Sequence, residues 1–181
     1  MGHQQNSIAV RIQRNLASKL SKPALVKRVI SDSYSDLLDI LYSVLAKYYP
    51  EKVAEKVVKN IVKIVVKLAL VFSNDKKVDE HEYALDDLQD KFRTLLLTVH
   101  SFDQIKYSYS QTHLLKMLKE IEESMLTLVK PPILSEKSSA RVQLVFEHFG
   151  NTTMLDAFFQ TDSPHVTERA KFMQIVEDLQ F

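Results

Sequence analysis

The sequence predicts an all-α fold, and three observations carry that prediction. Only two glycines, Gly2 and Gly150, occur in 181 residues, whereas a β-rich chain of this length needs many more for its tight turns. Apolar residues recur every three or four positions along most of the chain, the period of a helix with one buried face. The prolines, at 23, 50, 131, 132 and 164, fall between those stretches, where they end or open helices. With 45% hydrophobic and 26% charged residues, the composition suits a globular domain with a sizeable core. The expectation is a single compact bundle of about seven to nine helices.

The elements follow in order. Ile8, Ile12, Leu16 and Leu20 recur every fourth residue opposite Arg11, Arg14 and Lys22, a basic amphipathic helix ending near Pro23. This segment, 1–22, is set apart from the bundle proper, 23–181. A short helix from Ala24 comes next. Ser33 with Asp36 has the form of a capping box, and Leu37, Leu38, Leu41, Val44, Leu45 and Tyr48 then mark an apolar face up to Pro50. From Glu51 to Phe72 the lysines at 52, 56, 59, 63 and 67 form one narrow polar stripe. The rest of that circumference is mostly Val, Ile, Leu and Ala, wider than one flat contact needs, so this helix is expected at the centre. β-branched residues are mildly poor helix formers, but the lysine period decides against a strand.

Ser73 to Glu80 reads as a polar connection. Tyr83, Leu85, Leu88, Phe92, Leu95, Leu96, Val99 and Phe102 trace the next amphipathic helix. Ile105, Tyr107 and Tyr109 alternate with polar residues, and with no second strand nearby they are expected as an extended loop. Leu114 to Val129 is helical and is stopped by Pro131 and Pro132. Ser135 to Phe149 follows with Gly150 as its closing residue, then a short helix over Met154 to Phe159. The last helix opens on Ser163 and Pro164 as N-cap and first helical residue.

The same residues exclude several kinds of chemistry. There is no cysteine, so disulfides, thiolate nucleophiles and Cys-based metal sites are absent. Neither G-x-x-x-x-G-K nor G-x-G-x-x-G occurs, and the backbone approach that cradles a nucleotide phosphate needs those glycines. The six histidines (3, 81, 100, 113, 148 and 165) are scattered and form no H-E-x-x-H pair. The acids Asp79, Glu80, Glu82, Asp86, Asp87 and Asp90 lack EF-hand spacing and its glycine; they suit the start of a helix, where the macrodipole favours them. No G-x-S-x-G elbow supports a hydrolase triad. The expectation is a protein that is not an enzyme and holds no metal. Met1 to Asn6 show no secretory signal pattern, and the lysines of 51–72 keep that segment from being a membrane span. A cytoplasmic location follows, with peripheral membrane association.

Net charge is +1, but Arg11, Arg14, Lys19, Lys22, Lys27 and Arg28 give +6 before the first acid, Asp32. Such asymmetry fits either an arm attracted to a polyanion or a solvated helix face. The aromatic residues lie mainly on apolar faces and not among the N-terminal basics, which disfavours stacking on nucleic acid and favours an anionic membrane surface as partner.

Five ordered stretches carry a family resemblance: YSDLLDILY at 34–42, EKVVKNIVKIVVKLALVFSN at 55–74, EYAL at 82–85, TVHSFDQIKYSY at 98–109 and ARVQLVFEHFGNTTMLDAFF at 140–159. Together they resemble the tumour necrosis factor alpha-induced protein 8 (TNFAIP8, or TIPE) family over about Ser7 to Phe159. The resemblance implies a TIPE-homology domain, a helical bundle around a central apolar cavity that takes up lipid tails, with phosphoinositide binding and transfer and roles in apoptosis. It also implies a bound phospholipid or fatty-acyl ligand in place of a cofactor. Carried onto this chain, the tail cavity falls to Val58, Ile61, Val62, Val65, Val66, Ala69, Leu95, Leu96, Val99, Leu118, Ile121, Met125, Val145 and Phe149. Head-group or membrane contact falls to Arg11, Arg14, Lys19, Lys22, Lys76, Lys77, Lys91 and Arg93. The chain departs from the family where head groups bind: Arg14 and Asn15 stand at the paired N-terminal lysines, and Ser73 and Gln89 at the cavity-mouth arginines. A second expectation is a protein-interaction adaptor in cell-death or immune signalling, with a bundle filled by its own side chains and signalling proteins as partners.

Overall fold

The computed structural model describes residues 7–17, 32–72, 82–105, 107–129, 131 and 134–178. Within them lie eight helices: α1 (Ile8–Ala17), α2 (Asp32–Leu45), α3 (Glu51–Phe72), α4 (Glu82–Gln104), α5 (Gln111–Val129), α6 (Glu136–Phe149), α7 (Thr152–Phe159) and α8 (Val166–Asp178). The described residues hold no strand, so the all-α class stands. The expected short helix from Ala24, the side chain of Ser33 in the expected capping box and the 73–80 connection lie outside the described residues.

Helix α3 is the central element, flanked by α1, α2, α5 and α6. Its wide apolar surface explains this: Ala54, Val57, Val58, Val62, Ile64 and Val66 are all buried. They join Ala9 and Ile12 of α1, Leu38, Val44 and Leu45 of α2, and Val142 and Val145 of α6 in one core cluster. Each buried Val, Leu or Ile contributes about 1.5–3 kcal/mol relative to exposure. Pro50 opens α3 because its missing N–H costs nothing there, while its carbonyl accepts from Val53 N at 2.8 Å and Ala54 N at 3.1 Å.

Helix α1 is docked through its apolar face. Ala9 is 0% exposed, its N–H donates to Asp39 Oδ1 at 3.1 Å, and Arg11 pairs with Glu55 of α3 at 2.9 Å. Ser7 Oγ accepts from Val10 N at 3.2 Å and so caps the first turn.

Three local expectations differ in detail. The loop after α4 is a turn in which Tyr107 takes a positive φ of 63°, because Ser108 Oγ donates back to the carbonyls of Ser101 and Ile105. Gly150 does close α6, donating to Phe146 O at 2.8 Å, but at φ −77° it uses no left-handed freedom. Its small size is what matters, since a Cβ there would sit 3.2 Å from Phe146 O. Helix α8 begins at Val166, slightly later than Pro164, with Ser163 Oγ accepting from His165 N at 3.0 Å.

Candidate functional site

At the end of the bundle where α2, α4, α5, α7 and α8 meet, a cavity of about 140 Å³ opens between apolar side chains. Helical spacing decides which residues reach it. Ile40, Leu41 and Val44 come from one face of α2, Leu95 and Val99 from successive turns of α4, and Leu114 and Leu118 from successive turns of α5. Phe149 closes the side at the end of α6; Met154, Leu155, Phe158 and Phe159 come from α7, and Phe172 from α8. No side chain in that lining is polar. An apolar cavity of about 150 Å³ in another protein stays dry and accepts a six-carbon ring, so this space suits a hydrocarbon segment of similar size.

Aromatic rings hold the far wall. Phe158 meets Phe159 and Phe172 edge-on at 5.1 and 6.1 Å, and Tyr109 stacks on Phe159 at 5.0 Å. Behind them Asp156 accepts from Tyr109 Oη at 2.8 Å and from Gln111 Nε2 at 2.9 and 2.8 Å. Burial, then the Asp156 hydrogen bond and charge, push the Tyr109 phenol up, so it stays a donor. Arg169 ties α8 to the same wall, donating to Phe158 O and Gln160 O at 3.1 and 3.0 Å.

A buried histidine anchors the start of α8 against α2. Lys47 Nζ lies 2.8 Å from Glu168 Oε1, 3.4 Å from Pro164 O and 3.3 Å from His165 Nδ1. An ammonium only donates, so His165 Nδ1 accepts and Nε2–H donates to Tyr48 Oη at 2.8 Å. Burial, then the Lys47 charge, hold the His165 imidazolium below its ordinary pKa against a smaller opposing pull from Glu168. The Lys47 hydrogen bond in turn keeps the Glu168 carboxyl below the usual carboxylate range.

Of the expected tail-contact residues, the structure brings Leu95, Val99, Leu118 and Phe149 to this cavity. The others lie elsewhere. Val58, Val62, Val66 and Val145 are buried in the main core cluster, with Ile61 and Met125 packed against it. Ile121 belongs to a third cluster with Leu88 and Leu128. Ala69 and Leu96 are half-buried, and Val65 is 42% exposed. The physical reason is that α3 is enclosed by four neighbouring helices, so its apolar surface serves packing. Sequence reasoning missed the contributions of α2, α7 and α8. The available signal was aromatic density: four of the nine phenylalanines, Phe149, Phe158, Phe159 and Phe172, line the cavity.

Of the expected head-group residues, Arg11 and Arg14 stand on the exposed side of α1, and Arg93 is exposed on α4. Lys91 is engaged by Asp87 at 2.7 Å and Ser124 at 2.6 Å. Lys19, Lys22, Lys76 and Lys77 lie outside the described residues. Among the described residues no group of three or more His, Asp or Glu side chains could hold a metal ion, and no helix is long and apolar enough to cross a membrane.

The fold and cavity define an all-helical bundle with an apolar, aromatic-walled recess at one end. Comparison with known proteins is specific. The family model described as "Tumor necrosis factor alpha-induced protein 8-like" matches residues 3–180. Tumor necrosis factor alpha-induced protein 8 of Gallus gallus is 32% identical over 160 residues, covering 88% of this chain and 85% of the relative. The 8-like protein of Drosophila pseudoobscura pseudoobscura is 30% identical over 173 residues, 95% and 90% of the two chains. The Homo sapiens protein is 31% identical over 154 residues, 84% and 77%. The chain belongs to the tumour necrosis factor alpha-induced protein 8 family.

Proposed function

We propose that this chain is a non-enzymatic regulator of the TNFAIP8 type that accommodates part of a phospholipid acyl chain in its apolar cavity and docks on anionic membranes from the cytosol. The observation that carries the reading is the lining itself, thirteen side chains all of them apolar. A tail leaving the bilayer loses about 0.8 kcal/mol per methylene and regains a similar amount in such a recess. Tail transfer is therefore close to neutral, and polar contacts decide docking and selectivity, phosphoinositides included.

Displacement of a fluorescent fatty acid, together with native mass spectrometry of gently purified protein, tests the reading. Leu118→Trp puts bulk into the cavity and is expected to exclude about three methylenes, a loss of ~2.4 kcal/mol or roughly fiftyfold in affinity. Wild-type protein that carries no lipid and displaces no probe would instead favour a protein-interaction adaptor.

The basic side of α1 supplies the membrane contact. Because the apolar face of α1 is buried in the core, contact is electrostatic and needs no insertion. Neutralising both Arg11 and Arg14 as glutamines is expected to weaken binding to anionic vesicles by roughly thirtyfold at low salt, at about 1 kcal/mol per basic residue. The difference should shrink as salt rises. The Arg11–Glu55 pair is exposed and stabilises the fold by about 0–1 kcal/mol at most, so folding survives the change. Unaltered sedimentation with such vesicles would remove α1 from the mechanism.

A further inference from the structure

The lysine stripe of α3 leads to a cluster of positive charge that neither the fold nor the acyl-chain reading uses. Lys67 is half-buried and donates to Ser138 Oγ at 3.0 Å. Ser138 is fully buried, and its hydroxyl lies 3.4 Å from that of Ser135. Lys137 and Ser138 stand four and three residues before Arg141, which puts all three on neighbouring positions of one face of α6. Among the described residues the buried Arg141 Nη1 has no hydrogen-bond partner. The Lys67 ammonium is held below its ordinary pKa, first by burial and then by the charges of Arg141 and Lys137. Among the described residues no carboxylate forms an ion pair with any of the three.

Three cations that repel one another, one with a buried N–H left unpaired, are an unfavourable arrangement on their own. An anion with several acceptor oxygens corrects both faults at once, accepting charge-assisted hydrogen bonds from guanidinium and ammonium and ordinary ones from the hydroxyls. We propose that Lys67, Lys137 and Arg141, with the hydroxyls of Ser135 and Ser138, form a binding site for a phosphate-type oxyanion at the start of α6. Arg141 precedes Phe149, the α6 residue at the apolar cavity, by roughly 12 Å of helix. The site is thus separate from the cavity and stands whether or not the cavity takes a tail.

Inorganic phosphate titrated into the full chain, against chloride at matched ionic strength, tests it by thermal unfolding and by the Arg141 side-chain NMR signal. The expected result is a saturable, phosphate-specific rise in Tm with a shift of that signal. Arg141→Gln is expected to weaken phosphate binding by about tenfold or more, and Lys137→Gln by about threefold. Lys137 is exposed, so its variant carries the test even if Arg141→Gln folds poorly. A parallel arm uses phosphatidylcholine vesicles with and without phosphatidic acid. Loss of phosphatidic acid-dependent sedimentation in the variants assigns the anion to a lipid head group; retained sedimentation with lost phosphate binding assigns it to a soluble phosphate. The proposal is overturned if chloride reproduces the Tm rise, or if both variants bind phosphate as the wild type does.

Discussion

Leu45→Ala is expected to lower the unfolding free energy by about 2–5 kcal/mol, a large part of the roughly 5–15 kcal/mol that holds a domain folded. Leu45 is 0% exposed and belongs to the cluster that joins α1, α2, α3, α5, α6 and α7. It is also the last residue of α2, and its carbonyl accepts from Tyr48 N at 3.0 Å and Tyr49 N at 2.9 Å. The backbone at this corner is therefore held, and the surroundings can collapse only partly onto the vacated volume, which puts the cost above simple transfer of the lost carbons. In urea the midpoint should fall with an unchanged slope, and Tm should drop by roughly 10 °C. Leu97, 55% exposed on α4, provides the contrast, since its alanine variant should change stability by less than about 0.5 kcal/mol. A Leu45→Ala cost under about 1 kcal/mol would mean that the corner between α2 and α3 is looser than the packing requires.

The bundle was legible in the sequence because its signals are local. The lysine period over 51–72, the paired prolines after Val129 and the Ser163–Pro164 opening each depend on residues within a few positions of one another. Helix boundaries that differ do so for equally local reasons, as where the Ser108 hydroxyl folds the chain back after α4. The cavity was legible only in part. Periodicity tells which face of a helix is apolar, but whether that face meets another side chain or a gap depends on how distant helices cross. Leu95, Val99 and Leu118 reach the recess, whereas Val58 and Val62 on a face that looks equally suitable are packed in the core. The polar brace was not legible at all. Lys47 and His165 are 118 positions apart, and nothing near either marks the other. Arg141 likewise reads as one more charge on an amphipathic helix until Lys67 is set beside it.

Acidification is expected to loosen the seat of α8 before the rest of the bundle, and His165 is the reason. Its ring is fully buried and faces Lys47 and Tyr48 of the turn after α2, Glu168 of α8 and the Phe158 ring of α7. A second proton would have to enter at Nδ1, where it meets the Lys47 ammonium and forfeits the bond it accepts. The folded pKa thus lies below the ordinary 6.5, and the unfolded chain binds this proton more readily than the folded one. Stability from His165 is complete above the unfolded value and is lost as pH falls from about 6.5 through the lower folded pKa. Glu168, also depressed, acts in the same direction at lower pH, because its contribution is present above its unfolded value of 4.5 and is lost as it protonates. Replacing His165 with leucine should flatten the upper step. At neutral pH it should cost about 1–3 kcal/mol, because it leaves Tyr48 Oη and Lys47 without their buried partner. Lys47→Met removes the opposing charge and should raise the His165 pKa, read from its ring protons by NMR. Since Phe172 of α8 and Phe158 both line the cavity, acyl-probe affinity should fall in the same pH window in the wild type and not in His165→Leu. A pH profile identical in the two proteins would show that the brace does not govern how α8 closes the recess.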